Sequence, residues 1–376
     1  MPTRPERPAV SNSSWPRNEI DYFLQAQFDK RGLKPVGDAT PAQLIRRVYL
    51  DLVGLPPTVD QLHAFLSDPS DAKYRALVDE LLASPQYGER WARHWMDVWR
   101  YSDWYGRRQV NDVRNSAPQI WRWRDWIVDS LNNDKSYARM IQEMLAADEI
   151  APDDDSAWPA TGYLIRNYYS LNPNEWMRFN VEFTGKAFLA LTFNCAHCHD
   201  HKYDPIAHDD YFRLRAFFEP IGIRQDRVTN GPEPPPFQKY SYGGSRTAIR
   251  EGMVRIFDDA PERPTWFYTD GDERNKVKDR GSIPPGVPKF LNAGWQEISP
   301  INLPMTGWYP GSRPGIQQTI LARQRAEVEK AQVAFLKPTA TVDTTAAEAQ
   351  VAAAQKQLDA ELEKAKSSGK SGALAG

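Results

Sequence analysis

The sequence predicts a mainly α protein with an irregular middle region. Apolar residues recur at helical spacing through residues 16–228, and capping signals and glycines separate the segments. Residues 229–313 are rich in proline and glycine, which predicts an extension with little β-structure. Residues 314–366 are rich in Ala, Gln, Glu and Lys, which predicts a helical hairpin or coiled-coil arm. Residues 1–15 are predicted as a linker and residues 367–376 as a flexible tail.

Local signals divide the first of these segments into successive helices. A threonine cap followed by proline marks a helix start, and glycine marks an end. The first predicted helix has an apolar face from Ile20 to Phe28 and ends at Gly32. The second begins at Thr40 and Pro41 and ends at Gly54. A capping box at Thr58–Gln61 begins the third, and the fourth runs from about Asp71 to Ala83. Further helices are predicted at Tyr87–Arg100, around Trp121, Trp123 and Trp126, from near Ser136, over 174–193 and at Tyr211–Phe218. The 13 tryptophans imply a core or pocket with large flat surfaces.

The later part of the chain carries weaker signals. Arg263–Tyr268 predicts a short strand, bounded downstream by a turn at 284–286. In the arm, Pro338 separates two helical runs, and a second capping box begins at Thr345. The apolar stripe of the arm consists of Ile320, Val328, Ala331, Phe335, Val351, Ala354, Leu358 and Leu362. The arm is interpreted first as a structural spacer.

Composition limits the classes of function. A chain of 376 residues is long enough for about two or three domains. Its net charge of -2 gives no electrostatic case for nucleic acid or an anionic membrane. No apolar run approaches the ~18 residues needed to span a bilayer, and the first residues lack the apolar stretch of a signal peptide.

The two cysteines of the chain form the strongest motif, Cys195-Ala196-His197-Cys198-His199. Covalent haem attachment needs two thiols that add to the two vinyl groups, with a histidine directly after the second thiol as axial iron ligand. Cys195, Cys198 and His199 meet these requirements. The motif therefore predicts one covalent haem c.

Two other chemistries use the same cysteines. Zinc would take Cys195 and Cys198 with His201 and His208, although the intervening loop is shorter than in ordinary zinc modules. Thiol–disulfide exchange would use the CxxC alone, but the surrounding sequence lacks the alternating strand and helix pattern of a thioredoxin fold. Haem is favoured because His199 follows at once.

The second axial ligand is less determined by the sequence. His94 lies on an aromatic helix far upstream and is the candidate for the opposite haem face; its other interpretation is a hydrogen-bonded core histidine. His201 is too close to His199, and His197 is expected to point away. The methionine candidates are Met96, Met140, Met144 and Met177. An open sixth position would favour an enzyme.

Charged residues near the motif and the tryptophans suggest supporting roles. Arginines that could bind the haem propionates are Arg93, Arg100, Arg122 and Arg124, with surface ion pairing as the alternative for each. Candidate proton-transfer residues are Asp200, His201, Lys202 and Asp204, which more simply stabilise a loop.

Three motifs in order resemble one family. They are LIRRVYLDLVGLPPT (44–58), YGERWARHW (87–95) and CAHCHDHKYDPI (195–206). Together they resemble the second planctomycete-specific cytochrome c domain, long catalogued as a domain of unknown function, over roughly residues 16 to 228. The resemblance implies haem c binding outside the cytoplasm, within large exported proteins. The chain is accordingly expected to be periplasmic or otherwise exported, and to be a piece of a longer protein that carries the signal.

The leading functional expectation is electron transfer. One haem c would exchange single electrons with an extracytoplasmic dehydrogenase or another cytochrome, and the arm at 314–366 is a candidate docking surface. One alternative is a haem c oxidoreductase acting on carbohydrate or peroxide. Another is a structural scaffold in which the motif holds zinc.

Overall fold

Helices dominate the part of the chain that the computed structural model describes, namely residues 4–103, 119–168, 172–229, 231–232, 251–291, 298–299, 301–336 and 344–371. The predicted mainly α fold class is confirmed. The chain divides into two compact units, Met1–Ala83 and Ser84–Gly376. Their boundary lies inside the segment 16–228, which the sequence presented as one domain, because the first unit closes its own apolar core.

The first unit is built from α1 (Glu19–Arg31), α2 (Pro41–Leu52), α3 (Val59–Leu66) and α4 (Asp71–Leu82). The caps predicted at Thr40 and Thr58 are confirmed, since each side chain accepts the N–H of a glutamine three residues on, and that glutamine caps in return. Gly32 ends α1 in the left-handed region at φ 64, where glycine is favoured. The core of this unit consists of Ile45, Val48, Tyr49, Phe65 and Leu81.

The second unit contains the longer series of helices. In chain order they are α5 (Pro85–Trp99), α6 (Trp121–Asn132), α7 (Tyr137–Ile150), α8 (Gly162–Ile165), α9 (Pro173–Thr184), α10 (His208–Arg215), α11 (Met305–Trp308), α12 (Pro314–Leu336) and α13 (Thr344–Ser371). The predicted helix over 174–193 is shorter than expected. It ends at Thr184 and is followed by one π-helical turn, Gly185–Leu189.

Tryptophans form much of the core of this unit, as their number predicts. Trp99, Trp123 and Trp158 are almost completely buried. The ring of Trp123 meets the ring of Tyr163 edge-on, with centroids 5.9 Å apart. Aromatic burial of this size is a major source of stability.

Two small antiparallel sheets lie within the described residues. β1 (Ile221–Asp226) pairs with β2 (Met253–Asp258), and β3 (Thr265–Trp266) pairs with β4 (Ser282–Ile283). β3 falls inside the predicted strand at Arg263–Tyr268. β1 and β2 were not predicted, because pairing between distant segments decides their conformation.

The predicted C-terminal arm is confirmed as two helices, α12 and α13, which pack against each other. Its predicted break at Pro338 lies outside the described residues, and α13 continues to Ser371, beyond the predicted end at 366. The stripe residues Val351, Ala354, Leu358 and Leu362 are half-buried. In the described part of the chain, none of the helices combines the length and the apolar character needed to cross a bilayer.

Candidate functional site

The cysteine motif forms a tight turn in the second unit. Residues Cys195–His197 make a 3₁₀ turn, and the N–H groups of Cys198 and His199 both donate to the carbonyl of Cys195 at 3.1 Å. Both cysteines are free thiols, with Cys195 exposed and Cys198 half-buried. The two sulfur atoms and the histidine therefore belong to a single turn of backbone, as haem c attachment requires.

Two buried side chains anchor this turn in the core. Phe193 and Ala196 are fully buried, on either side of Cys195. Phe193 lies against Gly185, where an added Cβ would come within 2.3 Å of the phenylalanine ring. Ala190, which lies between Gly185 and Phe193 in the chain, has a left-handed backbone conformation with φ 53. The close packing of Phe193 against the backbone of Gly185 therefore anchors the motif.

Replacing Gly185 with alanine is expected to lower the free energy of unfolding by about 1–3 kcal/mol, because the new methyl group overpacks Phe193. Chemical denaturation of the two proteins measures the difference. Gly311→Ala is the matched control, since no atom lies within 4 Å of its Cβ position. Equal losses in both variants would contradict the anchoring role of Gly185.

The residues after the motif stabilise their own loop. The carboxylate of Asp200 accepts the backbone N–H of His208 at 2.7 Å, at the first residue of α10. His201 Nδ1 accepts the N–H of Asp204 at 2.8 Å. The Lys202 ammonium lies over the ring of Tyr203, 5.3 Å from its centroid. These contacts favour the loop-stabilising interpretation of the candidate proton-transfer residues.

His199 is oriented by one hydrogen bond. Its Nδ1 lies 2.7 Å from the carbonyl oxygen of Asp200, and a carbonyl accepts, so Nδ1 carries the proton. In the neutral tautomer that donates this bond, Nε2 is the nitrogen without a proton, and the side chain is exposed to solvent. A carbonyl partner on one ring nitrogen commonly fixes the tautomer that leaves the other nitrogen free to bind a metal. The donor set of the motif therefore fits a covalent haem.

His197 ends the 3₁₀ turn as a half-buried side chain and contacts the second thiol. Its Nδ1 is 3.4 Å from Cys198 Sγ, and its ring meets the Tyr211 ring edge-on at 5.1 Å. Gly271, at φ 68, approaches so closely that a Cβ there would lie 2.5 Å from the imidazole. Burial, followed by the charges of Arg178 and Arg215, lowers the pKa of His197 to about 4. The imidazole is therefore neutral at neutral pH.

The same surroundings keep the Cys198 thiol protonated. Burial, together with the nearby carboxylate of Asp270, raises the pKa of Cys198. Thiol–disulfide exchange proceeds through the thiolate, which reactive cysteines stabilise by a lowered pKa. This arrangement does not favour the exchange chemistry. The contact between His197 and Cys198 was not predicted, because the spacing of the five motif residues does not indicate which side chains touch.

Each alternative zinc-binding histidine has one ring nitrogen in a hydrogen bond and, in the described part of the chain, the other without one. His208 Nε2 donates to the carbonyl of His197 at 3.0 Å, and His201 Nδ1 accepts backbone N–H groups. Within the described residues, no three side chains of His, Cys, Asp or Glu are grouped so that they could hold a metal ion. This geometry gives no support to the four-residue zinc arrangement.

The candidates for the second axial position occupy different surroundings. His94 is exposed on α5, and its ring packs against Trp91 one turn earlier, with centroids 5.4 Å apart. No hydrogen bond or ring contact among the described residues links His94 to the motif. Met140, Met144 and Met177 are buried in the aromatic core, and Met96 is partly buried against it. The role of His94 stays a prediction.

The four arginines proposed for propionate binding separate into two groups. Arg93 pairs with Asp97, Arg124 pairs with Asp125, and Arg122 donates to the carbonyl of Gly252. Arg100 differs, since its guanidinium donates to the Asn167 amide oxygen at 3.1 Å and lies over the Phe183 ring.

Comparison with known proteins gives one result. A family model described as a protein of unknown function (DUF1549), PSCyt2, matches residues 19–222. No curated protein and no solved structure matches the chain. The match covers more than half of the chain and includes all three sequence motifs, at 44–58, 87–95 and 195–206. The chain therefore belongs to the PSCyt2 family (DUF1549).

Proposed function

We propose that this chain is an exported c-type cytochrome domain that holds one covalent haem at Cys195 and Cys198 and transfers single electrons. The observation that carries the proposal is the contact between His199 Nδ1 and the Asp200 carbonyl: with Nδ1 donating, Nε2 of this exposed side chain would be available to hold the haem iron. The haem iron supplies the one-electron couple. Electron transfer is favoured over catalysis because the loop residues after His199 are engaged in structural contacts.

The attachment chemistry uses the thiols in the state that the structure supports. Cys195 and Cys198 would hold the haem through two thioether bonds, each the product of adding an S–H group across a vinyl group, with sulfur on one carbon and hydrogen on the other. Cys198 is held as a thiol, which contains the hydrogen that this addition consumes. Cys195 is exposed and Cys198 is half-buried.

The physiological partner is proposed from the same chemistry. A single-electron carrier serves an extracytoplasmic dehydrogenase or another cytochrome, and α12 with α13 offers a surface for docking. Haem c oxidation of carbohydrate or reduction of peroxide is the alternative activity. His94 is the proposed second axial ligand of the carrier, whereas a site open to added ligands would indicate catalysis.

Expression in a periplasm with the haem c maturation system is expected to give one covalent haem per chain. The pyridine haemochrome spectrum of denatured protein measures the covalent haem directly. The double variant Cys195→Ala/Cys198→Ala is expected to retain none, because no thioether bond can form. Lys202→Ala, an exposed change beside the motif, is the matched control and should load as the wild type does.

Wild-type protein without covalent haem under these conditions would overturn the proposal, and bound zinc without iron would establish the scaffold alternative. In loaded protein, cyanide and carbon monoxide distinguish carrier from enzyme. A six-coordinate low-spin haem that binds neither ligand supports the carrier. Ligand binding by the wild type would instead favour the oxidoreductase.

A further inference from the structure

Two cations flank the aromatic ring of Phe183. The guanidinium carbon of Arg100 lies 3.1 Å from the ring centroid, and the Lys186 ammonium lies 5.1 Å from it. Phe183 is in the last turn of α9, and Lys186 belongs to the π-helical turn that follows. Arg100 reaches the ring from the end of α5, so two distant segments bring positive charge to one place.

A hydrogen bond connects the helix turn that contains Phe183 with the cysteine motif. Glu182 directly precedes Phe183, and its carboxylate is hydrogen-bonded by the side chain of Asn194. Asn194 is the residue immediately before Cys195. The last turn of α9 is therefore tied to the turn that presents the thiols.

The carboxylate of Glu182, which acts on both cations, has closer partners elsewhere. Glu182 lies 3.8 Å from Arg178 Nε, in addition to its bond from Asn194, and acts on Arg100 and Lys186 only through longer-range Coulomb attraction. Within the described residues, neither Arg100 nor Lys186 is in a salt bridge. The two cations therefore carry positive charge that the described part of the protein leaves uncompensated at hydrogen-bonding distance.

Arg100 is held in place and partly withdrawn from water. It ends α5 in the left-handed region at φ 63, its carbonyl accepts from Arg166 Nε at 2.9 Å, and its guanidinium donates to Asn167. Burial, and then the charge of Arg166, lowers the pKa of Arg100 to about 10, so it remains charged at neutral pH. A fixed guanidinium presents parallel N–H donors that match a carboxylate, and a partly buried cation gains most from such a partner.

We propose that Arg100 and Lys186 form a carboxylate-binding site that holds the propionate groups of the haem attached at Cys195 and Cys198. This inference rests on the proposed function. It selects Arg100 from the four arginines that the sequence suggested, since Arg93 and Arg124 already have carboxylate partners. It also adds Lys186, which the sequence did not indicate.

The test uses the haem-loaded chain of 376 residues and measures the midpoint potential by optical titration. Arg100→Gln is expected to lower the potential, because an uncompensated propionate charge stabilises the ferric state. Lys186→Gln should lower it in the same direction. Arg100→Lys keeps the charge and should restore most of the wild-type value. Arg93→Gln, an exposed change on the same helix, should leave the potential unmoved.

Equal potentials for Arg100→Gln, Arg93→Gln and wild type would overturn the assignment, even if Arg100→Gln unfolds more easily. If Arg100→Gln fails to fold, the potentials of Lys186→Gln and Arg100→Lys are compared instead. A lower potential in Lys186→Gln than in Arg100→Lys supports the assignment, and equal potentials overturn it. The haemochrome spectrum separates the two proposals: loaded protein with unmoved potentials defeats the propionate site alone, whereas absent haem defeats the proposed function as well.

Succinate distinguishes a haem carboxylate from a free one. If propionates fill the site, succinate should not raise the melting temperature of the haem-loaded wild type relative to Arg100→Gln. A rise in the wild type that is lost in Arg100→Gln would show a site open to free carboxylates. That result would overturn the propionate assignment.

Discussion

Replacing Asp226 with alanine is expected to lower the free energy of unfolding by about 3–5 kcal/mol. Its carboxylate, on β1, accepts from Arg224 Nε at 3.1 Å and from Arg255 Nε. Arg255 is 1% exposed and stacks over the ring of Trp158 at 3.4 Å. Removal of the carboxylate leaves the buried guanidinium of Arg255 without its ion-pair partner, and this uncompensated charge lowers the stability of the folded state.

Denaturant titration of both proteins measures the loss. Asp97→Ala is the matched control, because its pair with Arg93 is exposed and such pairs are worth about 0–1 kcal/mol. Arg255 and Arg313 form a cluster around the ring of Trp158. The guanidinium carbon of Arg313 lies 3.7 Å from the ring centroid, and its Nη1 donates to the carboxylate of Asp155. A loss in Asp226→Ala no larger than in Asp97→Ala would show that the cluster compensates for the missing charge.

Replacing Asp148 with asparagine is expected to make the protein more stable at mildly alkaline pH. Asp148 is buried near the end of α7, and burial, followed by the charges of Asp258 and Glu149, raises its pKa to about 8, while Arg224 acts in the opposite direction. The folded protein therefore keeps a proton that the unfolded chain releases above about pH 4. Stability from this group is full below that pH and is lost as pH rises towards about 8.

The size of this loss follows from the shift in pKa. Each unit of difference corresponds to about 1.4 kcal/mol, so Asp148 alone accounts for several kcal/mol between about pH 4 and about pH 8. Burial also raises the pKa of Asp258 and of Glu149, which act with the same sign. Asparagine has a similar shape and never ionises, so Asp148→Asn should flatten most of the decline.

Denaturant unfolding of wild type and variant across this pH range tests the expectation. The curves should converge near the acid end and separate towards the alkaline end, with the variant higher. Asp129→Asn, an exposed change on α6, should follow the wild type throughout. Parallel wild-type and Asp148→Asn curves would contradict the assignment of the proton to Asp148.

Much of the helical fold was predictable because its signals are local. The side chains of Thr40 and Thr58 cap helices by bonding groups three residues away, and Gly32 ends a helix through its own backbone freedom. Such interactions need no knowledge of the rest of the chain. The same holds for the spacing of Cys195 and Cys198, which one turn of backbone defines.

The small sheets were less predictable for the opposite reason. β1 and β2 pair Ile221 with Asp258 and Asp226 with Met253, across a long stretch of intervening sequence. A strand of six residues has little local preference and is stabilised by its partner. The division of the helical region into two units also depends on which apolar faces meet.

The sequence by itself determined the mainly α class, the C-terminal pair of helices, the family and the residues of the cysteine motif. Only the tertiary structure decided the surroundings of those residues. Gly271 packs against His197, and Gly185 packs against Phe193. Arg100 and Lys186 both contact the ring of Phe183. Hydrogen bonds within a turn are set by neighbours in the chain, whereas burial and charge at a site are set by segments that meet only after folding.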